Sequence, residues 1–544
     1  MIYLASIILS MFLTIVLIPI FKKLAIRLNI MDIPNKRKLH LNPIPKTGGL
    51  AMAFGIFAPV ILWGPESELL TAILMGASVV FLFGTIDDLK GINYQVKLSG
   101  QLIAALIVVF YGGIKIKIIG TFCGYDLILS DWYSIPLTIF VIVGVINAFN
   151  LSDGLDGLAG GISLLSFICI GYLAYQADQI IICFLAVAIT GSIIGFLRYN
   201  THPAILFMGD AGSQIIGFFA ITLVLSLTQA HNPLCRLLPL ILMGYPVLDT
   251  LTVFVKRISK GNSPFIADKG HFHHKFIYLG LSHNEAVLLI YILQAGLISL
   301  GYVFRFYSEV FILMLYLAFA GVILKSMSVA AKKGWKINRL RHLPKYFKRP
   351  IMGIFSEEIL IKVLFKSIEA GIPLMFFFTC FVPNKIPRTI SICSIVLFAL
   401  ILGMWFTKKQ WVSGILRLSL YIIIPFLLFI GETNAQLWMM PAIEYIYNLS
   451  FVALAIGVYL TLRFTRRKDG FRSTPLDFLI LFIAFVPGLI DPQIRSYHMG
   501  FLAVKIIVLL FSYEVLMGEL RGKITKFGVS TATLMLVVGI RGII

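Results

Sequence analysis

Residues 135–157 read IPLTIFVIVGVINAFNLSDGLDG. An apolar run over 135–149 passes directly into amides, carboxylates and glycines. The run is continuous rather than alternating, so it reads as a helix in apolar surroundings and not as a half-buried strand. Asn147, Asn150 and Asp153 recur every third residue, which puts them along one face if the helix continues through them. The pairs Asp153-Gly154 and Asp156-Gly157 then break the helix and allow close backbone approach to a ligand. A run of carboxylates and amides suits a hard cation or sugar hydroxyls. The D-x-x-D spacing lacks the remaining ligands of a calcium loop.

Working outward, the same apolar character fills the chain. Of 544 residues, 59% are hydrophobic and 13% charged, against roughly 25% charged in a soluble domain. Mean hydropathy is +0.94. Most of the surface therefore faces lipid, where the backbone must be satisfied within each spanning segment, and helix does this. Apolar spans fall near 2–21, 49–63, 69–86, 98–113, 135–149, 158–175, 180–197, 212–228, 237–255, 285–304 and 309–326. A basic segment, KKGWKINRLRHLPKYFKR, covers Lys332–Arg349. Further spans lie near 369–382, 389–406, 413–430, 447–462, 476–490, 499–516 and 527–540. The expected fold is an all-α, polytopic integral membrane bundle of about eleven core helices plus about seven more. The expected domains are a membrane core over 1–330, a basic linker over 331–350 and an additional membrane domain over 351–544. The run Ile2–Ile20 has no basic region before it and no cleavage signal after it, so it reads as a retained helix rather than a signal peptide.

The formal net charge of +21 does not point to nucleic acid, because the basic residues sit in short loops between spans, where the positive-inside rule puts them. With the N-terminus outside, the inside loops carry Lys22, Lys23, Arg27 and Lys46, then Lys90 and Lys97, then Arg198, then Lys256 and Arg257. The PESE loop at 65–68 is outside and acidic. The six cysteines show no paired spacing, and most read as small apolar residues of the spans.

This orientation brings five polar clusters to the inner side. Asp32 to Gly49 is a Pro- and Gly-rich loop whose cations, Lys46 among them, can hold a phosphate or serve only as a positive-inside anchor. Asp87 and Asp88 end an apolar run, with Lys97 and Gln101 shortly after. Adjacent carboxylates near lipid call for a metal ion, a shared proton or plain solvation. Asn147 to Gly157 is the third cluster. The fourth, Phe207-Met208-Gly209-Asp210-Ala211-Gly212-Ser213, is a glycine-rich turn feeding a helix N-terminus, a natural anion site. Asp210 there would repel a phosphate unless a metal ion bridged them, as Mg²⁺ commonly does. Phe207 can stack a base or act as an interfacial aromatic. The fifth follows Pro246 and Asp249 and holds Arg257, Asp268, His271, His273, His274 and Lys275. Zinc is a rival reading for the histidines, disfavoured because no cysteines accompany them.

Taken together, DIPNKRKLHLNPIPKTGG, GTIDDLKG, NAFNLSDGLDGLAGG, YNTHPAILFMGDAGS and SPFIADKGHFHHK resemble the polyprenyl-phosphate N-acetylhexosamine-1-phosphate transferases, in that family's order, over residues 1 to about 330. The resemblance implies a ten- or eleven-helix core, dependence on Mg²⁺ with Mn²⁺ as a substitute, and an active site on the cytoplasmic face of a bacterial inner membrane. It matches Asp210 and Asn150 to the metal-holding positions, and Asp87 and Asp88 to an acidic pair near the lipid phosphate. Asn147, Asp153 and Asp156 fall on the nucleotide and substrate side, Phe207 on a uracil-stacking position, and His271, His273, His274 and Arg257 on the diphosphate loop. The implied substrates are a UDP-N-acetylhexosamine and undecaprenyl or another polyprenyl phosphate, with UMP released at the start of a cell-envelope polysaccharide. A second copy of the chain is admitted as a partner. The HFHH pattern looks like the N-acetylglucosamine branch, and the phospho-MurNAc-pentapeptide branch comes second. A lipid-linked sugar transporter is the rival of another class, disfavoured because transporters place their sites near the bilayer midplane. Residues beyond about 350 match no part of that family. Glu357 to Glu369 reads as an interfacial helix.

Overall fold

The computed structural model describes residues 2–34, 42–122, 125–230, 232–261, 270–333, 357–407, 409–464, 499–519 and 525–543. Among them, α1 (Ile2–Arg27) leads through the short antiparallel pair β1 (Met31–Asp32) and β2 (Ile44–Pro45) into α2 (Gly48–Trp63), α3 (Glu68–Lys90) and α4 (Tyr94–Phe110). The hairpin β3 (Ile118–Phe122) and β4 (Tyr125–Ile128) precedes α5 (Asp131–Ser152), α6 (Leu158–Gln176), α7 (Ile180–Asn200) and α8 (Gly209–Thr228). Then come α9 (Leu238–Leu242), α10 (Gly244–Ile258), α11 (Phe272–Tyr278), α12 (His283–Val303) and α13 (Glu309–Lys332). These elements form one compact unit. A second unit holds α14 (Glu357–Phe381), α15 (Arg388–Thr407), α16 (Lys409–Thr433), α17 (Pro441–Phe464), α18 (Met499–Glu519) and α19 (Thr525–Arg541).

Eleven of the described helices are long and apolar enough to cross a membrane. The all-α polytopic architecture follows, and every expected span on described residues but one overlaps a single helix. The span expected at 476–490 lies outside the described residues. The exception is 237–255, which is not one helix but α9 and α10, broken at Met243. Pro246 has no N–H to offer the carbonyl of Leu242, one helical turn back. That carbonyl instead accepts from Ser166 Oγ and Gln294 Nε2, both at 2.8 Å. Gln294 Oε1 takes the Tyr245 N–H at 3.1 Å, and Tyr316 OH donates to the Gly244 carbonyl at 3.0 Å. A break inside a membrane bundle is stable when buried side chains satisfy the freed backbone groups in this way. The apolar pattern of the sequence predicts neither antiparallel strand pair, and α14 runs unbroken from Glu357 into the span expected at 369–382.

In the first unit α8 is the central element, with 94% of its spanning window buried, whereas α13 has 22%. Small residues let neighbours touch it. A Cβ on Gly49 of α2 would fall on the Gly212 backbone of α8, and one on Gly84 of α3 would lie 2.6 Å from Ala211 Cα. Helices alternate in direction along the chain. The C-terminal ends of α1, α3, α5, α7 and α10 therefore meet the N-terminal ends of α2, α4, α6, α8 and α12 on one side of the unit.

The second unit packs an apolar core that includes Ile372, Phe376, Leu416, Leu420, Leu509 and Met535. Buried Lys505 on α18 pairs with Glu432 at the end of α16 and lies 5.0 Å from the Tyr447 ring centre. Arg541 donates to the carbonyls of Cys380 and Pro383, closing the C-terminal end of α14.

Candidate functional site

The polar residues singled out in the sequence collect on that one side of the first unit. Asp87 and Asp88 occupy the last turn of α3, which ends at Gly91 in the left-handed conformation. Adjacent on a helix, their side chains diverge. Asp88 accepts the backbone N–H groups of Asp210 (2.9 Å) and Ala211 (3.0 Å), so it caps the N-terminus of α8 from another helix. Gly209 makes this possible: its φ is +74°, and a Cβ there would lie 2.5 Å from Asp88 Oδ2 and 2.7 Å from the Lys46 carbonyl. Asp87 faces the other way. Its Oδ1 accepts the Ile92 N–H at 2.9 Å, and its Oδ2 lies 3.0 Å from Lys97 Nζ.

Lys97, in the first turns of α4, is the hub. Its ammonium also pairs with Asp210 Oδ1 and reaches Asn150 Oδ1 at 3.5 Å. Asn150 Nδ2 donates to Asp210 Oδ1 (2.6 Å) and Ser213 Oγ (2.8 Å). Oxygens from three helices thus converge on one positive point, with Lys97 and Asp87 exposing less than a fifth of their side chains. The sequence alone gives Lys97 no role beyond its cluster. Its signal was a cation beginning an apolar run, which requires an acidic partner.

Asn147 does not join this group. One turn earlier on α5, its Nδ2 donates to Gln101 Oε1 (2.7 Å), and Gln101 Nε2 donates to Gln214 Oε1 (2.8 Å). It belongs to a chain of amides that ties α5, α4 and α8 beneath the site. Nor does the helix carry the column through to Asp153. It ends at Ser152, and Asp153 takes a non-helical conformation.

Among the described residues no group hydrogen-bonds to the Asp153 carboxylate. Burial pushes this acid up from 3.8 to about 7, and Asp210, Asp156 and Asp88 add repulsion. The folded chain then holds a proton that the unfolded chain releases between about pH 4 and 7. Stability from this group therefore falls as pH rises through that window and levels off above it. We expect the metal-free thermal midpoint to drop between pH 5 and 8, and Asp153→Asn to flatten the drop and to melt higher than wild type at pH 8. Parallel curves for the two proteins would refute this.

The histidine loop packs against the same turn. Asp249, buried on α10, accepts from His271 Nδ1 (2.8 Å) and from the Phe272 N–H (2.7 Å), which anchors α11. The His273 ring lies against Gly154, where a Cβ would overlap it. Burial, then His274, His271 and His283, hold the His273 imidazole well below its usual range, and its Nδ1 is buried without a partner among the described residues. His274 is 4.3 Å away, ring to ring. Arg257 is buried at the end of α10. Asp268, between them in sequence, lies outside the described residues.

A two-sided zipper sets the remaining wall. The Phe207 N–H donates to Pro45 O (2.8 Å), and Gly48 and Gly49 donate to the carbonyls of Phe207 and Met208 (2.9 and 2.8 Å). This holds half-buried Phe207 beside Lys46, whose ammonium is 3.2 Å from Asp32. Burial opposes the Lys46 charge, but Asp32, Asp88 and Asp210 outweigh it and raise its pKa. Asp156 lies beyond, bonded to His202 Nδ1 (2.7 Å) and the Ala204 N–H (3.0 Å). Asn200 supports the turn from below, accepting from Gly157 N and donating to Leu206 O, both at 2.9 Å.

Residues 70–228 match the family model described as glycosyl transferase family 4. Over 349 residues the chain is 33% identical to a probable undecaprenyl-phosphate N-acetylglucosaminyl 1-phosphate transferase of Bacillus subtilis (strain 168), covering 63% of this chain and 95% of that one. It is 34% identical over 316 residues to the decaprenyl-phosphate N-acetylglucosaminephosphotransferase of Mycolicibacterium smegmatis, covering 51% and 76%. It is 30% identical over 332 residues to the undecaprenyl-phosphate alpha-N-acetylglucosaminyl 1-phosphate transferase of Escherichia coli (strain K12), covering 58% and 88%.

Proposed function

Because the chain belongs to glycosyl transferase family 4, we propose that it moves N-acetylglucosamine 1-phosphate from UDP-N-acetylglucosamine to undecaprenyl phosphate or a related polyprenyl phosphate, on the cytoplasmic face of a bacterial inner membrane. The named relatives act on polyprenyl phosphates. The observation that carries the chemistry is the convergence of Asp87, Asp210 and Asn150 oxygens on the Lys97 ammonium. A place built to hold one positive charge between carboxylate and amide oxygens suits Mg²⁺, or Mn²⁺ in its stead. Asp210, Asn150 and Asp87 would hold the ion. Asp88 is the poorer candidate, since both its oxygens already accept backbone N–H groups. When bound, the ion would neutralise charge on the diphosphate.

In the reaction an oxygen of the lipid phosphate forms a bond to the β-phosphorus of the donor. The bond from that phosphorus to the oxygen bridging the α-phosphate breaks, and this oxygen leaves with UMP. Such transfers need positioning and charge stabilisation more than covalent help from the protein. Lys97, released from the carboxylates, would face the diphosphate, with Lys46 and Arg257 as further cations. Phe207 is the stacking surface for the uracil, and neutral His273 is a hydrogen-bonding group rather than a charge. Asp153, which holds its proton up to about pH 7, can donate a hydrogen bond to the nucleotide or accept one.

The test uses the full-length protein in detergent with undecaprenyl phosphate and, separately, the UDP derivatives of GlcNAc, GalNAc and MurNAc-pentapeptide. UMP release and a GlcNAc-diphospholipid product are expected with the first donor and magnesium. Product from MurNAc-pentapeptide alone, or lipid movement across vesicles without UMP, would overturn the reading.

A further inference from the structure

On the rim of the catalytic group, three side chains from three separate segments meet. Asp156 comes from the turn after α5, His202 from the loop after α7, and His283 begins α12. One ligand atom from each lies within 4.8 Å of the others. The two imidazole rings stack at 4.0 Å with 18° between their planes. Both address Asp156, His202 through the carboxylate (2.7 Å) and His283 through the backbone carbonyl (3.3 Å). They border a cavity of about 510 Å³ that Lys22, Asn42 and Pro45 also line.

We propose that Asp156, His202 and His283 form a binding site for a Zn²⁺-class transition-metal ion, distinct from the oxygen-lined centre at Asp210. The ligand chemistry differs: two imidazoles and one carboxylate suit a borderline ion, whereas carboxylates and amides suit a hard one. Ligands sharing a tetrahedral zinc stand about 3.4 Å apart. The Asp156–His202 separation of 2.7 Å is shorter than this and all three ligand atoms lie within 4.8 Å of one another, so small side-chain rotations would bring them to one ion. Three protein ligands leave a fourth position, and the cavity beside the cluster can supply it with water or an anion drawn by Lys22. The ion would clamp the 201–207 segment to the start of α12. That segment ends at Phe207, which the Pro45–Gly49 zipper holds beside Asp210, so the clamp would stiffen the wall of the transfer site without taking part in transfer.

The full-length protein, stripped with chelator and re-equilibrated with zinc chloride under excess magnesium, is passed over a desalting column and its metal content measured. One zinc per chain is expected in wild type and in His274→Ala, which removes a histidine of the other cluster. His202→Gln and His283→Ala should each weaken zinc binding by about 100-fold or more, since loss of an outer-shell partner alone costs 10–100-fold. Zinc should raise the thermal midpoint of wild type and leave that of His202→Gln unmoved. Co²⁺ should give the visible bands of a tetrahedral nitrogen and oxygen site in wild type and in His274→Ala, and not in His202→Gln. His202 exposes 42% of its side chain, so its glutamine variant decides the matter even if His283→Ala fails to fold. Zinc retained by His202→Gln, or no stoichiometric zinc in wild type, overturns the proposal.

Discussion

Asp210→Ala is expected to abolish transfer, with UMP release from UDP-N-acetylglucosamine falling by about 10³-fold or more. Asp210 meets Lys97 and Asn150 through one carboxylate oxygen, and its own backbone N–H is held by Asp88. The alanine keeps the backbone bond, so α8 remains capped, but it removes the carboxylate on which the cation-binding arrangement centres. Asp210→Asn sharpens the test. It preserves shape and still accepts from Asn150, yet lacks the charge. Both variants should therefore fold, while losing activity and losing the stabilisation that added Mg²⁺ should give the wild type. Activity within tenfold of wild type in Asp210→Asn would remove the metal assignment.

Lys97→Met has the second large effect, and it moves two readouts in opposite directions. Without metal, Asp87 and Asp210 lose the cation between them, and breaking a largely buried pair on one side costs of order 3 kcal/mol. The metal-free protein should melt lower than wild type. Added Mg²⁺ should then stabilise the variant more than wild type, because the ion no longer competes with the ammonium for the same oxygens. Transfer should nevertheless fall by about 10²-fold or more, because Lys97 is no longer available to the diphosphate. A purely structural lysine would lower the melting point without enlarging the magnesium effect, so that pattern would refute the proposed exchange.

Asp210 and Lys97 differ in how much the sequence alone reveals of them. Asp210 stood out because a carboxylate after Phe-Met-Gly at a helix start is a conspicuous anomaly beside an anion-binding N-terminus. Lys97 looked like one more inside-loop cation under the positive-inside rule. Only its convergence with three partners, 10, 53 and 113 residues away in sequence, gives it a role. Asp87 and Asp88 were a single acidic pair in the sequence, but a helix turns each residue by about 100° from the last, so neighbours face different partners. Likewise Asn147 and Asn150 share a helix face, yet one turn of rise moves Asn147 out of the site and into the amide chain with Gln101 and Gln214.

The sequence by itself determined the all-α polytopic architecture, because spans of this length and hydropathy leave the backbone no other way to satisfy its hydrogen bonds in lipid. It also determined the positions of nearly all described helices and the clustering of polar residues at alternate span ends, since strict alternation of direction follows from crossing a bilayer. Tertiary structure alone decided the break at Met243, which depends on Ser166 and Gln294 reaching the freed Leu242 carbonyl from other helices. It alone decided that Asp88 caps α8 while Asp87 answers Lys97, and that His202 and His283 meet Asp156. Such contacts join segments far apart in the chain, and local periodicity carries no information about which side chain a distant helix will present.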